Sequence, residues 1–364
     1  MRIDAVTVKA FEFPTTHPER DGTLVWKSTK LVTVEVTAGN KLGLGYTYAD
    51  QATGEFIAEH ALALIKGSET SDHLQIVEKI KRQCRNLGNS GVASMALSAV
   101  DTALWDLKAC LMDVSIQELL GKRRESVPFY GSGLFIDDSE EELREQIKAF
   151  QVLGLRSFKM KIGQTAEQDL ERIKKVKAMI GEEAELFVDA NGRYHHREAL
   201  WLAHQLANLG VTWFEEPITS DDHLHMKFLQ EHFPPRLNYV AGEYANQQSD
   251  FFTLLNQGLV DILQVDATRC EGVSGALSAC HLARAYNVPV STHCAPLLHA
   301  QIGCCLDNLQ ISEHFWDHKR IEDEFFISSG HFKEGQFFPA QKQKGFGWAL
   351  GPKSKRYQIY ELTA

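Results

Sequence analysis

Three stretches near the middle of the chain read SFKMKIG (residues 157–163), ELFVDANG (185–192) and VTWFEEP (211–217). Each is a short apolar run bounded by turn formers, a pattern typical of buried parallel strands. Each also carries ionisable residues, which such a strand does not need. Amphipathic helical segments separate such runs. The remaining runs are VPFYGSG (127–133), NYVAGEYA (238–245), DILQVDA (261–267), VPVSTHC (288–294) and LQISEHF (309–315). Eight strand–helix units in about 200 residues predict an α/β fold, a TIM-type (β/α)-barrel.

The chain outside these runs has a different pattern. Residues 3–13 and 31–36 alternate as half-buried strands do, and the spacing over residues 54–112 is helical. Between the two strands, THPERDGTLVWKST (16–29) is rich in turn formers and charge, which predicts a surface loop. We therefore expect an N-terminal α+β capping domain over residues 1–122 and the barrel over residues 123–325. Residues 326–364 do not continue the alternation, and we expect them to return and complete the capping domain.

Carboxylates stand at the ends of three successive predicted strands. Asp189 closes ELFVD, Glu215 closes VTWFE and Glu243 closes NYVAGE, each about one βα unit from the next. Three like charges that meet at one end of a barrel are unfavourable unless a cation lies among them. Carboxylate oxygens suit Mg²⁺, which keeps coordination positions open for a substrate. The three residues therefore predict a magnesium site.

Two groups of candidate bases flank this site. Lys159 and Lys161 are two apart on one strand, so their side chains point to the same face. A lysine near a cation and a second lysine has a lowered pKa, which makes it a usable general base. On the other side, Asp266 and His293 end consecutive strands, and an aspartate beside a histidine fixes the imidazole tautomer. Bases on both sides of a metal suit attack on either face of an α-carbon.

The order and spacing of these motifs resemble the enolase superfamily, specifically its mandelate racemase subgroup, over almost the whole chain. The helix sequence DTALWDLK (101–108) and the ELLG that follows it (118–121) also resemble the segment before the family's barrel. Each motif alone is weak, whereas their order and spacing together are specific. The motifs are KxK (159–161), VDxN (188–191), EEP (215–217), GE (242–243), the Asp266/His293 dyad and Glu313.

The resemblance implies a role for each group, with one Mg²⁺ per active site. Lys161 would be the base on one face, with Lys159 beside it contacting the substrate carboxylate. His293, paired with Asp266, would be the base or acid on the other face. Glu313 would bind the substrate carboxylate as a hydrogen-bond donor.

The resemblance also implies a specificity lid over residues 14–28. Arg20 and Trp26 of this segment, together with Asn191 of the VDxN motif, are candidate substrate contacts. Arg20 and Trp26 could equally be simply exposed residues, and the sequence leaves both readings open.

Several reactions follow from α-proton abstraction and an enediolate. We favour dehydration of an acid sugar, an aldonate or aldarate, to a 2-keto-3-deoxy acid, because the resembled subgroup contains many such dehydratases. The alternatives are a racemase or epimerase of a 2-hydroxy acid or amino-acid derivative and, more remotely, a non-catalytic binding protein. Cycloisomerases of the muconate type resemble a pattern with lysine at the place of Asp266, so they are less favoured.

The composition of the chain indicates which classes of binding partner and which cellular compartment to expect. The net charge of −10 argues against a general nucleic-acid binder, which would present a basic face. Seven cysteines without a CxxC pair are typical of a reduced, intracellular protein. No signal peptide or transmembrane run is evident, so we expect a cytoplasmic protein without a membrane partner. A small-molecule carboxylate is the expected substrate, and the resemblance implies a homo-oligomer.

Overall fold

An antiparallel sheet backed by helices opens the chain in the computed structural model, which describes residues 1–328, 330–340 and 342–364. The strands are β1 (Ala5–Arg20), β2 (Val25–Ala38) and β3 (Lys41–Thr47). The helices are α1 (Gln51–His60), α2 (Leu62–Ile65), α3 (His73–Gln83), α4 (Val92–Met112) and α5 (Ile116–Leu120). Gly43 and Gly45 of β3 lie so close to α4 that an added Cβ would come within 2.2 and 2.1 Å of its carbonyl oxygens. Glycine therefore lets the longest helix pack directly on the sheet.

The predicted loop over residues 16–29 is instead the end of a long hairpin, so that prediction was wrong. β1 and β2 continue through it, and the chain turns between Asp21 and Leu24. Asp21 Oδ1 accepts hydrogen bonds from the amides of Thr23 and Leu24, both at 2.7 Å. This side-chain cap confines the turn to a few residues, and the β-forming residues after it return to the ladder.

Eight parallel strands follow, each hydrogen-bonded to the next, and the last pairs with the first to close a barrel. They are β4 (Val127–Gly133), β5 (Ser157–Lys161), β6 (Glu185–Asp189), β7 (Trp213–Glu215), β8 (Asn238–Ala241), β9 (Ile262–Val265), β10 (Val290–Thr292) and β11 (Leu309–Phe315). The helices between and after them are α6 (Glu140–Val152), α7 (Ala166–Ile180), α8 (His196–Asn208), α9 (His223–His232), α10 (Gln248–Asn256), α11 (Gly272–Ala285), α12 (Pro296–Gly303) and α13 (Trp316–Phe325). The predicted (β/α)-barrel is confirmed.

The C-terminal segment contacts both parts of the molecule. It contains β12 (Phe326–Ile327), β13 (Gly330–Lys333), β14 (Gln336–Pro339), β15 (Ala349–Leu350) and β16 (Gln358–Thr363). β16 pairs antiparallel with β1 and so adds a fourth strand to the N-terminal sheet. β14, however, pairs with barrel strand β4, a contact that the sequence did not predict. Among the helices of the described ranges, none is long and apolar enough to cross a membrane.

Candidate active site

The predicted carboxylates meet at the carboxyl ends of the barrel strands, the end of the barrel that is called the mouth below. Asp189 ends β6, Glu215 ends β7, and Glu243 follows β8 by two residues. One oxygen from each lies within 4.8 Å of the others, and all three side chains are buried. Glu243 Oε2 forms no hydrogen bond with the described residues, and His293 Nε2 lies 3.1 Å from it. The cluster thus holds oxygen donors whose charge the protein does not fully satisfy.

Two lysines of β5 contact one side of this cluster. Lys161 Nζ donates to Asp189 Oδ2 at 2.6 Å and to Asn191 Oδ1 at 3.1 Å. Lys159 Nζ lies 2.5 Å from Glu215 Oε1 and 2.9 Å from Glu313 Oε1. Alternation along the strand puts both amines in the barrel mouth, as the KxK pattern predicts.

The histidine–aspartate pair contacts the opposite side. His293 Nδ1 lies 2.8 Å from Asp266 Oδ2, and Asp266 Oδ1 accepts from the amide and hydroxyl of Thr268, both at 2.7 Å. The aspartate is therefore held from two directions, which leaves His293 Nε2 pointing towards Glu243. Lys161 touches Asp189 and His293 approaches Glu243, so the two candidate bases stand at different members of the carboxylate cluster.

The pKa values of the mouth follow from burial and pairing. Burial alone would lower the pKa of Lys161, but the charge of Asp189 outweighs it and the net pKa lies above the usual lysine value. The protein groups thus oppose the lowered lysine pKa that the sequence predicts, which would need a cation among the carboxylates. Burial raises the pKa of Glu215, and the neighbouring Asp189 raises it further. For Glu313, burial acts upward, but Lys159 holds the pKa well below its usual range.

Glu313 lies in β11, two residues before its end, and both oxygens of its carboxylate have a partner. Oε1 receives Lys159, and Oε2 accepts from the backbone amide of Cys294 at 2.5 Å. Cys294 Sγ in turn lies 3.2 Å from His293 Nε2, so a thiol stands beside the imidazole nitrogen of the dyad. With a lowered pKa, Glu313 is ionised here, whereas the donor role implied by the resemblance needs a protonated carboxyl.

Several residues of the mouth were missed by sequence reasoning. Trp213 Nε1 and Gln264 Nε2 donate to Glu215 Oε2 at 2.9 and 3.1 Å and fix that carboxylate. Arg269 lies 3.7 Å from both Glu243 and Asp266. Glu216 is buried, and its Oε1 has no hydrogen-bond partner in the described part of the chain. Strand alternation could have identified Trp213, which is two residues before Glu215, but nothing periodic indicates Arg269.

Backbone strain collects at the same end of the barrel. Left-handed φ angles occur at Leu134 (47°), Asn191 (46°), Glu216 (40°) and Cys294 (51°), which lie just beyond β4, β6, β7 and β10. A non-glycine residue in this region costs about 1–3 kcal/mol and persists only where the surroundings fix it. At the mouth, the surrounding structure therefore holds the backbone in conformations that these residues do not favour on their own.

The two candidate substrate contacts of residues 14–28, the segment named the lid below, reach different surroundings. Trp26 packs against a cluster of Phe135, Cys294 and Phe315, and its Nε1 donates to Glu19 Oε2 at 2.8 Å. It therefore adjoins the mouth beside Cys294. The Arg20 guanidinium instead lies 3.2 Å from Asp137 Oδ1, in a pair whose side chains are both exposed.

The comparisons with known proteins match both parts of the chain. A family model described as enolase C-terminal domain-like matches residues 142–354. A model for the N-terminal domain of mandelate racemase and muconate lactonizing enzymes matches residues 5–121. The chain belongs to the mandelate racemase/muconate lactonizing enzyme family of the enolase superfamily. The resemblance inferred from the motifs is thereby confirmed.

Relatives within this family include enzymes that act on acid sugars. The arabinonate dehydratase of Saccharolobus solfataricus is 31% identical over 70% of this chain and 68% of its own length. A mandelate racemase/muconate lactonizing enzyme-like protein from Rubrobacter xylanophilus superposes with a TM-score of 0.95, at 36% identity over 99% and 100% of the two chains. L-Talarate dehydratase from Polaromonas sp. JS666, solved with Mg and L-glucarate, gives a TM-score of 0.90 at 26% identity, covering 100% and 99%.

Proposed function

We propose that this enzyme removes the proton α to a substrate carboxylate with the help of Mg²⁺, and that it dehydrates an aldonate or aldarate to a 2-keto-3-deoxy acid. The observation that carries the proposal is the placement of Lys161 and the His293/Asp266 pair at different members of one buried carboxylate cluster. The dehydratase activities of the relatives, among them one solved with Mg and L-glucarate, support the choice of reaction.

Asp189, Glu215 and Glu243 are the residues that would hold the ion. They fit it in donor chemistry, because all three offer carboxylate oxygens, and in geometry, because those oxygens lie within 4.8 Å of one another. Glu243 Oε2 also lacks a hydrogen-bond donor among the described residues. When bound, Mg²⁺ supplies positive charge that stabilises the negative charge developing on the substrate carboxylate as the α-proton leaves.

Lys161 is the proposed base for the α-proton. It can accept a proton only as the neutral amine, and the charge that holds its pKa up is that of Asp189, 2.6 Å away. Compensation of that charge by a cation would free the amine for proton transfer. Lys159 and Asn191 stand beside Lys161 and would position the substrate carboxylate and neighbouring hydroxyl groups.

His293 is the proposed acid for the leaving hydroxide. Asp266 accepts the Nδ1 proton at 2.8 Å, which orients the ring and stabilises the imidazolium needed for donation through Nε2. Elimination then proceeds with the α-proton taken on the Lys161 side and the hydroxyl group protonated on the His293 side. Glu313, in its protonated form, would donate a hydrogen bond to the substrate carboxylate beside Lys159, and Trp26 would border the distal part of the substrate.

Proton NMR in D₂O with Mg²⁺ and pooled acid sugars tests the reaction. We expect loss of the C2 proton signal and new signals from a C3 position that carries one proton and one deuteron. Lys161→Ala and His293→Asn should each abolish turnover, whereas Lys174→Ala and His281→Asn, at more exposed positions, should retain it. Full turnover in Lys161→Ala and His293→Asn would contradict the proposed roles.

A racemase or epimerase is the second candidate, because two bases at opposite sides of an α-carbon can exchange roles. The same spectra distinguish it, since the α-proton would exchange for deuterium without loss of a hydroxyl group. Exchange with no acid sugar, 2-hydroxy acid or amino-acid derivative would contradict both reactions and favour a non-catalytic binding role.

A further inference from the structure

A second group of potential metal ligands lies between the lid and the barrel. His17 of β1, Asp138 in the loop after β4 and Glu142 of α6 each offer a ligand atom, and these atoms lie within 4.8 Å of one another. His17 Nε2 is 3.3 Å from Glu142 Oε1 and 3.9 Å from Asp138 Oδ1. Tetrahedral Zn²⁺ with ligands at about 2.0–2.2 Å sets neighbouring ligand atoms about 3.3–3.6 Å apart. The two separations from His17 therefore need only a small adjustment to suit such an ion.

Asp138 supplies an independent indication of a ligand. Its side chain is 0% exposed, and its Oδ1, the atom nearest His17, has no hydrogen-bond partner in the described ranges. Its other oxygen accepts from the Phe135 amide at 2.7 Å and from Gln146 Nε2 at 2.9 Å. A buried carboxylate oxygen without a donor is unfavourable unless a cation faces it.

The other two side chains are held so that one atom of each remains available. His17 Nδ1 lies 3.2 Å from the Pro18 carbonyl oxygen, which can only accept, so the neutral ring leaves Nε2 unprotonated. Glu142 Oε2 accepts from the Ser139 amide at 2.7 Å as part of a helix cap, and Oε1 is the oxygen that faces His17. Metal ligands are commonly oriented by such secondary hydrogen bonds.

A bulge in the lid directs His17 to this place. The β1–β2 ladder pairs Pro14 with Ser28 and next Glu19 with Trp26, so residues 15–18 oppose Lys27 alone. Bulges of this kind redirect side chains away from the ladder. The lid backbone is also hydrogen-bonded to the same barrel loop, since the Arg20 carbonyl accepts from the Ile136 amide at 3.0 Å.

We propose that His17, Asp138 and Glu142 bind a divalent transition-metal ion of the Zn²⁺ class, which fastens the lid to the barrel. One imidazole and two carboxylates suit such an ion, in contrast to the all-oxygen cluster in the barrel mouth. The His17 and Glu142 side chains are 32% and 35% exposed, so water can reach the ion from the solvent side. The site joins residues that no step of the proposed reaction uses.

Zn²⁺ binding to the full-length protein in excess Mg²⁺ tests the site. After equilibrium dialysis, wild type should retain one equivalent of Zn²⁺ more than His17→Ala, and Glu142→Gln should bind that equivalent about tenfold or more weakly. Glu142→Gln tests the ligand while still offering a side-chain oxygen to the helix cap. His281→Ala, a change at an exposed histidine of α11, should behave as wild type. Equal Zn²⁺ retention by wild type and His17→Ala would overturn the proposal.

Trypsin cleavage after Lys27 reports on the lid itself, because Lys27 is exposed at the bulge. Added Zn²⁺ should slow this cleavage severalfold in wild type and in His281→Ala, and leave it unchanged in His17→Ala. Protection that persists in His17→Ala would show that Zn²⁺ acts elsewhere and would also overturn the proposal.

Discussion

Two consecutive layers of the barrel interior differ completely in chemistry although the same strands supply both. The lower layer is apolar and consists of Tyr130, Phe187, Trp213, Val240 and Ile262, with Ile311 against it. Two residues further along five of these strands stand Ser132, Asp189, Glu215, Gln264 and Glu313, all of them buried. Side chains of residues i and i+2 lie on the same face of a strand. The apolar layer and the polar and ionic layer are therefore neighbours inside the barrel, two residues apart along each strand.

The contrast shows that the lower layer stabilises the barrel and supports the upper one. Phe187 and Trp213 stack with ring centroids 4.8 Å apart, and Tyr130 meets both rings edge-on or tilted. The same residues touch the charges above, because Lys159 Nζ lies 5.5 Å from the Tyr130 ring centre and Trp213 donates to Glu215. The two buried layers therefore have different tasks. The apolar contacts of the lower layer stabilise the fold, whereas the buried charges of the upper layer cost folding free energy and form the candidate active site.

Truncation of the lower layer should have the largest effect on stability. Trp213→Ala removes a buried ring and leaves a cavity beneath the carboxylates, so we expect a loss of about 3–5 kcal/mol in the free energy of unfolding. Trp201→Ala, on the exposed face of α8, should change stability by only about 0.5 kcal/mol. Urea unfolding of the two variants measures the difference, and equal losses would break the proposed division between the layers.

Removal of Mg²⁺ from protein that carries no Zn²⁺ should affect the upper layer alone and to a smaller extent. Mg²⁺ at 100 times its dissociation constant should stabilise the folded protein by about 2.7 kcal/mol, because it binds only the assembled carboxylate cluster. Chelation should therefore lower the unfolding midpoint of wild type and of Glu231→Gln, an exposed control on α9. Glu243→Gln should lose most of this response, and an undiminished response would place the ion elsewhere.

Some features of these layers could be predicted from the sequence, and others could not. The barrel and the meeting of Lys161, Asp189 and His293 follow from strand period and unit spacing, which are local and repeat regularly. The support of Glu215 by Trp213 depends on side-chain direction across a layer, and the lysine pKa depends on the balance of burial and charge. Neither quantity is periodic in sequence.

The hairpin structure of the lid escaped prediction for a related reason. Its turn formers and charges read as a loop, but Asp21 caps a tight turn and the strands continue on both sides of it. The ligand group of His17, Asp138 and Glu142 joins residues from two regions of the chain and has no motif spacing. Such groups appear only once tertiary packing is known.

The lid also contains a buried carboxylate, but its neighbours differ from those in the mouth, where lysines pair with the carboxylates. Glu19 is buried and has no lysine partner among the residues that the structure describes. Burial, together with the nearby charge of Asp317, raises its pKa to about 8. The charge of Asp138 also raises this pKa, whereas the hydrogen bond from Trp26 and the charge of Arg320 lower it. Because the closed lid binds this proton more tightly than an open one, closure is most favoured below the ordinary carboxyl pKa and weakens as pH rises through about 8.

We therefore expect lid opening to increase between about pH 6 and pH 9 in wild type and to change little in Glu19→Gln. The effect on global unfolding should be small, because the hairpin end can open without loss of the barrel. Trypsin cleavage after Lys27, expressed at each pH as the ratio of wild type to Glu19→Gln, cancels the pH dependence of the protease. A ratio that stays constant across this range would show that Glu19 is ionised in the closed lid, so that Arg320 and Trp26 stabilise its charge as lysines do in the mouth.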